Sequence, residues 1–280
     1  MDLLGELLKR TGDRSFKGKG RLIGLWIRTR KRNDERLRQV RRGGAIWCDL
    51  SIPYEAMVWL EQEEEPDLAA LSHLLRSGEI FVDCGANIGL WSITAASLVG
   101  PQGKIYSIEP NPVSFDKLRR NIATSRLSNI ITIRAAVGER SGTEHLYCDP
   151  AHNSSRILGR GDLKAFTDRT AVIPVITLDE LMATERRVAG IKIDVEGYEH
   201  CVLQGAVTIV DQFKPWICVE FNTILQEACC LQDWDVHRWF STHNYRPYLM
   251  STFTADSVKA LQSDFSVAGY CNILYLPINT

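Results

Sequence analysis

Four short stretches place acidic or amide side chains beside glycine or at the end of an apolar run. "FVDCGANIGLW" (81–91) ends an apolar run on Asp83 and continues through Gly85, Asn87 and Gly89. "IYSIEPN" (105–111) ends on Glu109 and Asn111. "IKIDVEGYEH" (191–200) gathers Asp194, Glu196, Glu199 and His200, and "VEFN" (219–222) carries Glu220 and Asn222. Glycines let a chain turn sharply and come close to a ligand, and a following helix offers unpaired N–H groups there. A strand-end carboxylate such as Asp83 suits a cationic ligand group. Glu109 lies 24 residues after Gly85, a separation at which a second-strand acid accepts the hydroxyls of a ribose.

The ligand implied is a nucleoside, and the spacing bears on which one. A nicotinamide fingerprint reads GxGxxG and turns the helix toward pyrophosphate. Here the run is Gly85–Ala86–Asn87–Ile88–Gly89, with an acid two places before the first glycine. A carboxylate repels pyrophosphate but attracts an amino group or a sulfonium. The pattern favours S-adenosylmethionine, with a nicotinamide cofactor as the outside alternative.

Strands and helices alternate from Glu79 onward, which predicts a mostly parallel sheet with helices on both faces. "EIFVDCG", "KIYSIEP", "IITIRAAV", "IKIDV", "PWICVEF", "YRPYLM" and "NILYLP" read as strands, and "TEHLYC" as an extra one. "LWSITAASLVG", "YEHCVLQGAVTIVDQF" and "DWDVHRWFSTHN" read as helices. "NPVSFDKLRRNIATSRL" is a helix with Asn111 as its cap and Pro112 in its first position. Thr177 and Glu180 form a capping box for "LDELM". Residues 149–162 read as a polar loop able to form an acceptor wall or a lid.

Residues 1–75 read as a basic, helical extension with a short strand, "AIWCDLS", and residues 76–280 as the ligand-binding domain. Lys9 to Arg42 holds 14 Lys or Arg against Asp13, Asp34 and Glu35, although the whole chain of 280 residues carries a net charge of only −1. Leu22, Trp26, Leu37 and Val40 are spaced to share one side of a helix, and "YEAMVWLEQEEEPDLAALSHLLRSG" is helical with Pro66 in a first turn. This surface is either a solvated helix packed on the main domain, or a docking face for an anionic substrate, lipid or partner. No nucleic-acid motif accompanies the charge. No apolar run is long enough to span a membrane, and "MDLLGELLKR" lacks the order of a signal peptide. Eight scattered cysteines without CxxC fit reduced core residues, and a cytoplasmic location is expected.

"FVDCGANIGLWS", "IYSIEPNP", "AAVGERSG", "TLDEL", "IKIDVEGYE" and "VLQGA" together resemble the FkbM family of S-adenosylmethionine-dependent methyltransferases over about residues 45–277. The resemblance implies a seven-stranded class I methyltransferase sheet with its last strand antiparallel. It implies that Asp83, Gly85, Asn87 and Gly89 line the methionine and ribose part of the cofactor. Glu109 would take the ribose hydroxyls with Asn111 nearby, and Ala136 and Val137 would lie against the adenine. Asp194 and Glu196 would sit beside the transferable methyl. The implied acceptor is a hydroxyl on a sugar, a polyketide or another specialised metabolite.

Methyl transfer to an alcohol calls for alignment and for a base or a metal. Asp194, Glu196, His200 and Glu220 are the catalytic candidates, and Asp194 alternatively binds the cofactor's amino group. Glu199 reads as a solvated helix position. Asp194, Glu220 and Asn222 raise a magnesium site, but Glu-Phe-Asn is not an adjacent acid–amide pair, so metal dependence is the minority reading. His152 and His243 are weaker bases, and Trp216, Trp234 and Trp239 fit a core. The expected function is O-methylation of a small-molecule hydroxyl. N-methylation, and a nucleoside-binding protein without turnover, remain alternatives, and a homodimer through the N-terminal helix is open.

Overall fold

The computed structural model describes residues 2–11, 18–41, 43–62, 65–149, 154–158, 170–223, 230–254, 259–267 and 269–278. Helices α1 (Leu3–Thr11) and α2 (Lys19–Arg28) come first, then strands β1 (Glu35–Gln39) and β2 (Ala45–Asp49), then helices α3 (Pro53–Trp59) and α4 (Glu65–Leu74). The chain continues through β3 (Ile80–Cys84), α5 (Leu90–Val99), β4 (Lys104–Ile108), α6 (Pro112–Ser125) and β5 (Ile130–Ile133). Next come β6 (Ala136–Val137), β7 (Gly142–Asp149), β8 (Ser154–Ile157) and β9 (Thr170–Ile176). The last part holds α7 (Leu178–Leu181), β10 (Gly190–Ile193), α8 (Glu199–Gln204), α9 (Val207–Phe213), β11 (Trp216–Asn222), α10 (Asp235–Thr242), β12 (Tyr245–Leu249) and β13 (Tyr270–Pro277).

The main sheet has seven strands in the order β5-β4-β3-β10-β11-β13-β12. Strand β13 runs antiparallel to both of its neighbours, and the remaining pairs are parallel. Strand alternation divides the side chains between two cores. Phe81, Ile105, Trp216, Cys218 and Leu274 face one core, which they share with α4, α5 and the extension's Leu8, Trp26, Ile46 and Leu60. Val82, Ile108, Ile191, Ile193, Val219 and Tyr275 face the other, with side chains of α8, α9 and α10. The extension therefore packs into the same core as the sheet. Trp216, Trp234 and Trp239 are buried, and no disulfide joins the cysteines among the described residues.

Several elements differ from the sequence reading. "IITIRAAV" is two strands: β5 edges the main sheet, whereas Ala136 and Val137 cross to pair with Val175 and Ile176 in a second sheet of order β6-β9-β7-β8. Part of the expected loop at 149–162 is strand β8 of that sheet, paired with β7. The long helix expected over 198–213 breaks at Gly205, where an added Cβ would lie 2.0 Å from the Gly138 carbonyl oxygen. The acidic helix is two helices, α3 and α4. Leu37 does not share a helix face with Trp26, because a turn in which Asn33 takes a φ of 61° starts β1. The capping expectations for α6 and α7 hold: Val113 N donates to Asn111 Oδ1 at 3.0 Å and Glu180 N to Thr177 Oγ1 at 3.1 Å.

Candidate active site

The carboxyl ends of β3, β4, β10 and β11 open into a cleft that is partly exposed to solvent. The turn after β3 forms its floor. Gly85 adopts a φ of 82°, and a Cβ there would lie 1.8 Å from the backbone oxygen of Asp194. Only glycine allows the turn to press against the end of β10 in this way. Gly85 N and Ala86 N both donate to Ile108 O, which ties the turn to β4. Gly89 begins α5 at a φ of 97°, with Leu118 closing over it.

Glu109 organises this floor. Its Oε2 accepts from Asn87 N and its Oε1 from Asn111 N, each at 2.8 Å. The carboxylate lines the cleft yet is only 5% exposed. Burial pushes its pKa up to about 7, against the pull of the two N–H donors. Each oxygen keeps lone-pair capacity for a ligand hydroxyl.

Alternation along β10 puts Lys192 and Asp194 on one side of the sheet, and Lys192 beside Asp83 of β3. Lys192 is 3% exposed, and its Nζ donates to Asp194 Oδ2 at 2.8 Å and lies 5.3 Å from the Trp91 ring centroid. It is the one basic side chain lining the cleft among the described residues; Asp194, Glu196 and Glu220 line it too. Burial, with Asp194 and Glu199 adding repulsion, pushes Glu196 up to about 7. Burial and the charges of Asp194 and Glu196 hold Glu220 well above the usual carboxylate range. The acids crowd one another in the cleft, and a cationic ligand would relieve that repulsion. Among the described residues, no three acids, histidines or cysteines converge so as to hold a metal ion.

Gly85, Asn87, Glu109, Ala136, Val137, Asp194, Glu196 and Glu220 all line the cleft. Three other expected positions act behind it: Gly89 starts α5, Asn111 caps α6, and Asp83 is fully buried. The Asp83 side chain turns toward α5 instead of the ligand space, and its Oδ2 accepts from Ser92 Oγ at 2.6 Å. Its Oδ1 has no hydrogen-bond partner among the described residues. His200 faces away from the cleft, with its Nε2 2.9 Å from Gln204 Nε2 and its Nδ1 3.6 Å from Asp235 Oδ2. Glu199 is buried, not solvated; its Oε1 accepts from Gly197 N at 2.9 Å and so holds the turn that presents Glu196. Glu196 and Gly197 both take positive φ in that turn. His243 stacks on Trp239 at 3.7 Å, Asn222 pairs with Tyr270 in the sheet, and His152 lies outside the described residues.

Lys192 carries no motif of its own; its signal is a lysine flanked by isoleucines in a strand buried on both faces. Tyr54 of α3 and Ser155 and Ile157 of β8 also line the cleft. Ser155 and Ile157 fall within the stretch expected to form an acceptor wall or a lid, whereas Tyr54 reaches the cleft only through tertiary packing.

The Methyltransferase FkbM domain matches residues 83–247. The chain belongs to the FkbM methyltransferase family. Hexuronic acid methyltransferase AglP of Haloferax volcanii is 30% identical over 165 residues, 58% of this chain and 59% of that protein. Methyltransferase sdnD of Sordaria araneosa is 32% identical over 124 residues, 44% of this chain and 46% of its own length. This FkbM chain thus spans about half the length of these curated relatives. The solved structure of Methyltransferase FkbM from Methylobacillus flagellatus aligns with 98% of this chain and 58% of that one, at 17% identity and a TM-score of 0.48.

Proposed function

We propose that this FkbM domain transfers the methyl group of S-adenosylmethionine to a hydroxyl of a small sugar or natural-product acceptor. The observation that carries the reading is the strand-end cleft itself. Glu109 and the turn at Gly85–Asn87 line a floor that suits a nucleoside, and three further carboxylates line the cleft beside one buried lysine. The fit to the cofactor is chemical. Glu109 offers acceptors for ribose hydroxyls, Ala136 and Val137 offer an apolar wall for a purine, and Asp194 and Glu196 supply charge for an amino group or sulfonium. When bound, the cofactor supplies an electrophilic methyl on positive sulfur.

The chain's own residues then have divided roles. Lys192 fixes the Asp194 carboxylate, and the Glu199-braced turn presents Glu196 to the cleft. Glu196, held near neutrality by burial and neighbouring acids, would take the proton from an acceptor hydroxyl held in the cleft, leaving its oxygen free to receive the methyl as the thioether departs. Glu220 stands by as a second acid on the neighbouring strand. His200 has no part in this scheme, since its ring is directed toward Gln204 and Asp235. The names of the two curated relatives favour a sugar or natural-product acceptor, hexuronic acid being the one that AglP's name gives.

The test is transfer of labelled methyl from S-adenosylmethionine to a panel of uncharged sugars, uronic acids, polyketide alcohols and amines, with and without magnesium. Labelling at oxygen, abolished in Asp194→Ala, is the expected result. Labelling only of amines contradicts the oxygen assignment, and turnover that requires magnesium contradicts proton removal by Glu196 alone.

A further inference from the structure

The N-terminal helices carry more leucine than their packing uses. Helix α1 buries Gly5 and Leu8, and α2 buries Ile23 and Trp26. Trp26 Nε1 donates to Asp2 Oδ1 at 3.0 Å, and Arg30 pairs with the same carboxylate, so the two helices are fixed to each other. Yet Leu3, Leu7 and Leu25 are 74%, 61% and 59% exposed, and Leu4 and Leu22 are 42% and 41% exposed.

The exposed leucines are interleaved with bases at helical spacing. Leu3, Leu7 and Arg10 share one face of α1, and Arg21, Leu25 and Arg28 share one face of α2. The ion pairs of this region use Lys9, Arg30, Arg36, Arg38 and Arg41. Arg10, Arg21, Arg28, Lys31 and Arg32 are exposed, against Glu6 and Glu35 as the exposed acids between residues 3 and 35 among the described residues.

We propose that α1 and α2 dock this protein on the surface of an anionic lipid bilayer, with the leucines entering the acyl boundary and the arginines meeting lipid phosphates. The two components select the partner. Exposed leucines beside bases gain from a bilayer interface, where apolar burial and charge attraction add. A second copy would bring the same positive faces together. A nucleic acid would satisfy the arginines and leave the leucines in water, and Trp26, the tryptophan of these helices, is buried and unavailable for base stacking. No described helix is long and apolar enough to cross a membrane, so the contact is peripheral.

The test is co-sedimentation of the full chain with vesicles of phosphatidylcholine alone and of phosphatidylcholine with about 30% phosphatidylglycerol. The expected result is binding to the anionic vesicles only, weakened severalfold when salt rises from about 0.1 to about 0.5 M. The pair Leu7→Asp and Leu25→Asp, and separately the pair Arg21→Glu and Arg28→Glu, should each weaken binding at least tenfold. All four positions are exposed, so an unchanged thermal midpoint verifies that the variants fold. Three results overturn the proposal: equal or no binding to the two vesicle types, undiminished binding by the leucine variant, or dimerisation in solution that the leucine substitutions abolish.

Discussion

In the proposed reaction the base is Glu196, a carboxylate that burial and like charge hold near neutrality. With Glu196 at about 7, kcat at saturating cofactor should rise as pH passes through that value, because the ionised form is the base. Glu196→Gln should lower kcat by roughly 10²-fold and flatten that limb of the pH profile. A Gln variant that keeps the limb assigns it to another group. Lys192 acts through Asp194, so Lys192→Met should cut kcat by about 10-fold or more while changing the affinity for S-adenosylhomocysteine less. Equal losses in both, with no recovery in Lys192→Arg, would mean a merely structural lysine. At Gly85 the difficulty is steric: a Cβ would lie 1.8 Å from a backbone oxygen that cannot swing away. Gly85→Ala should destabilise the chain by at least ~2 kcal/mol, measured by urea unfolding, and should weaken cofactor binding.

At the scale of elements, the site depends on where helices and strands stop. The break between α8 and α9 at Gly205 lets the chain pass the Gly138 carbonyl and brings the second sheet against the main one. Gly205→Ala should lower the thermal midpoint by several degrees, since the obstruction is again backbone. The glycines and acids that form the cleft floor were legible because strand-end turns and nucleoside recognition impose fixed residue types at short separations. Asn111 and Thr177 were legible as caps for the same local reason. What stayed hidden depends on tertiary pairing. Nothing local distinguishes an Asp83 facing a ligand from one bonded to Ser92 nine residues later. Nor does "IITIRAAV" signal that its last two residues leave one sheet for another. Glu199 reads as solvated and Lys192 does not stand out because each is polar yet buried, and their partners, Asp194 and the 194–197 turn, become visible only when β10 is placed in the sheet.

The molecule as a whole binds its extension into the core behind the cleft. Trp26 is 1% exposed and stacks on Trp59, with ring centroids 5.9 Å apart, in the cluster that also holds Phe81 and Trp91. Trp26→Ala should cost about 3–5 kcal/mol and lower one cooperative transition of the entire chain. A separate early transition would mean that the extension unfolds independently. The buried acids of the cleft also shape the response to pH. Glu109 and Glu196 titrate near 7 when folded and near the ordinary Glu value when unfolded, so between about 5 and 7 the folded chain holds more protons. Stability should therefore fall as pH rises through that window. Burial of the neutral His237 imidazole works the other way, but the raised carboxylates outnumber it. The slope of thermal midpoint against pH should be shallower in Glu196→Gln.

The most direct test of the central claim is calorimetric titration of S-adenosylhomocysteine into the purified chain and into Glu109→Ala. The account predicts micromolar binding by the parent chain and a loss of at least ~10-fold in the variant, which removes the carboxylate that braces the floor and is proposed to take the ribose hydroxyls. Equal binding by both proteins, or preference of the parent chain for a nicotinamide dinucleotide, would contradict it.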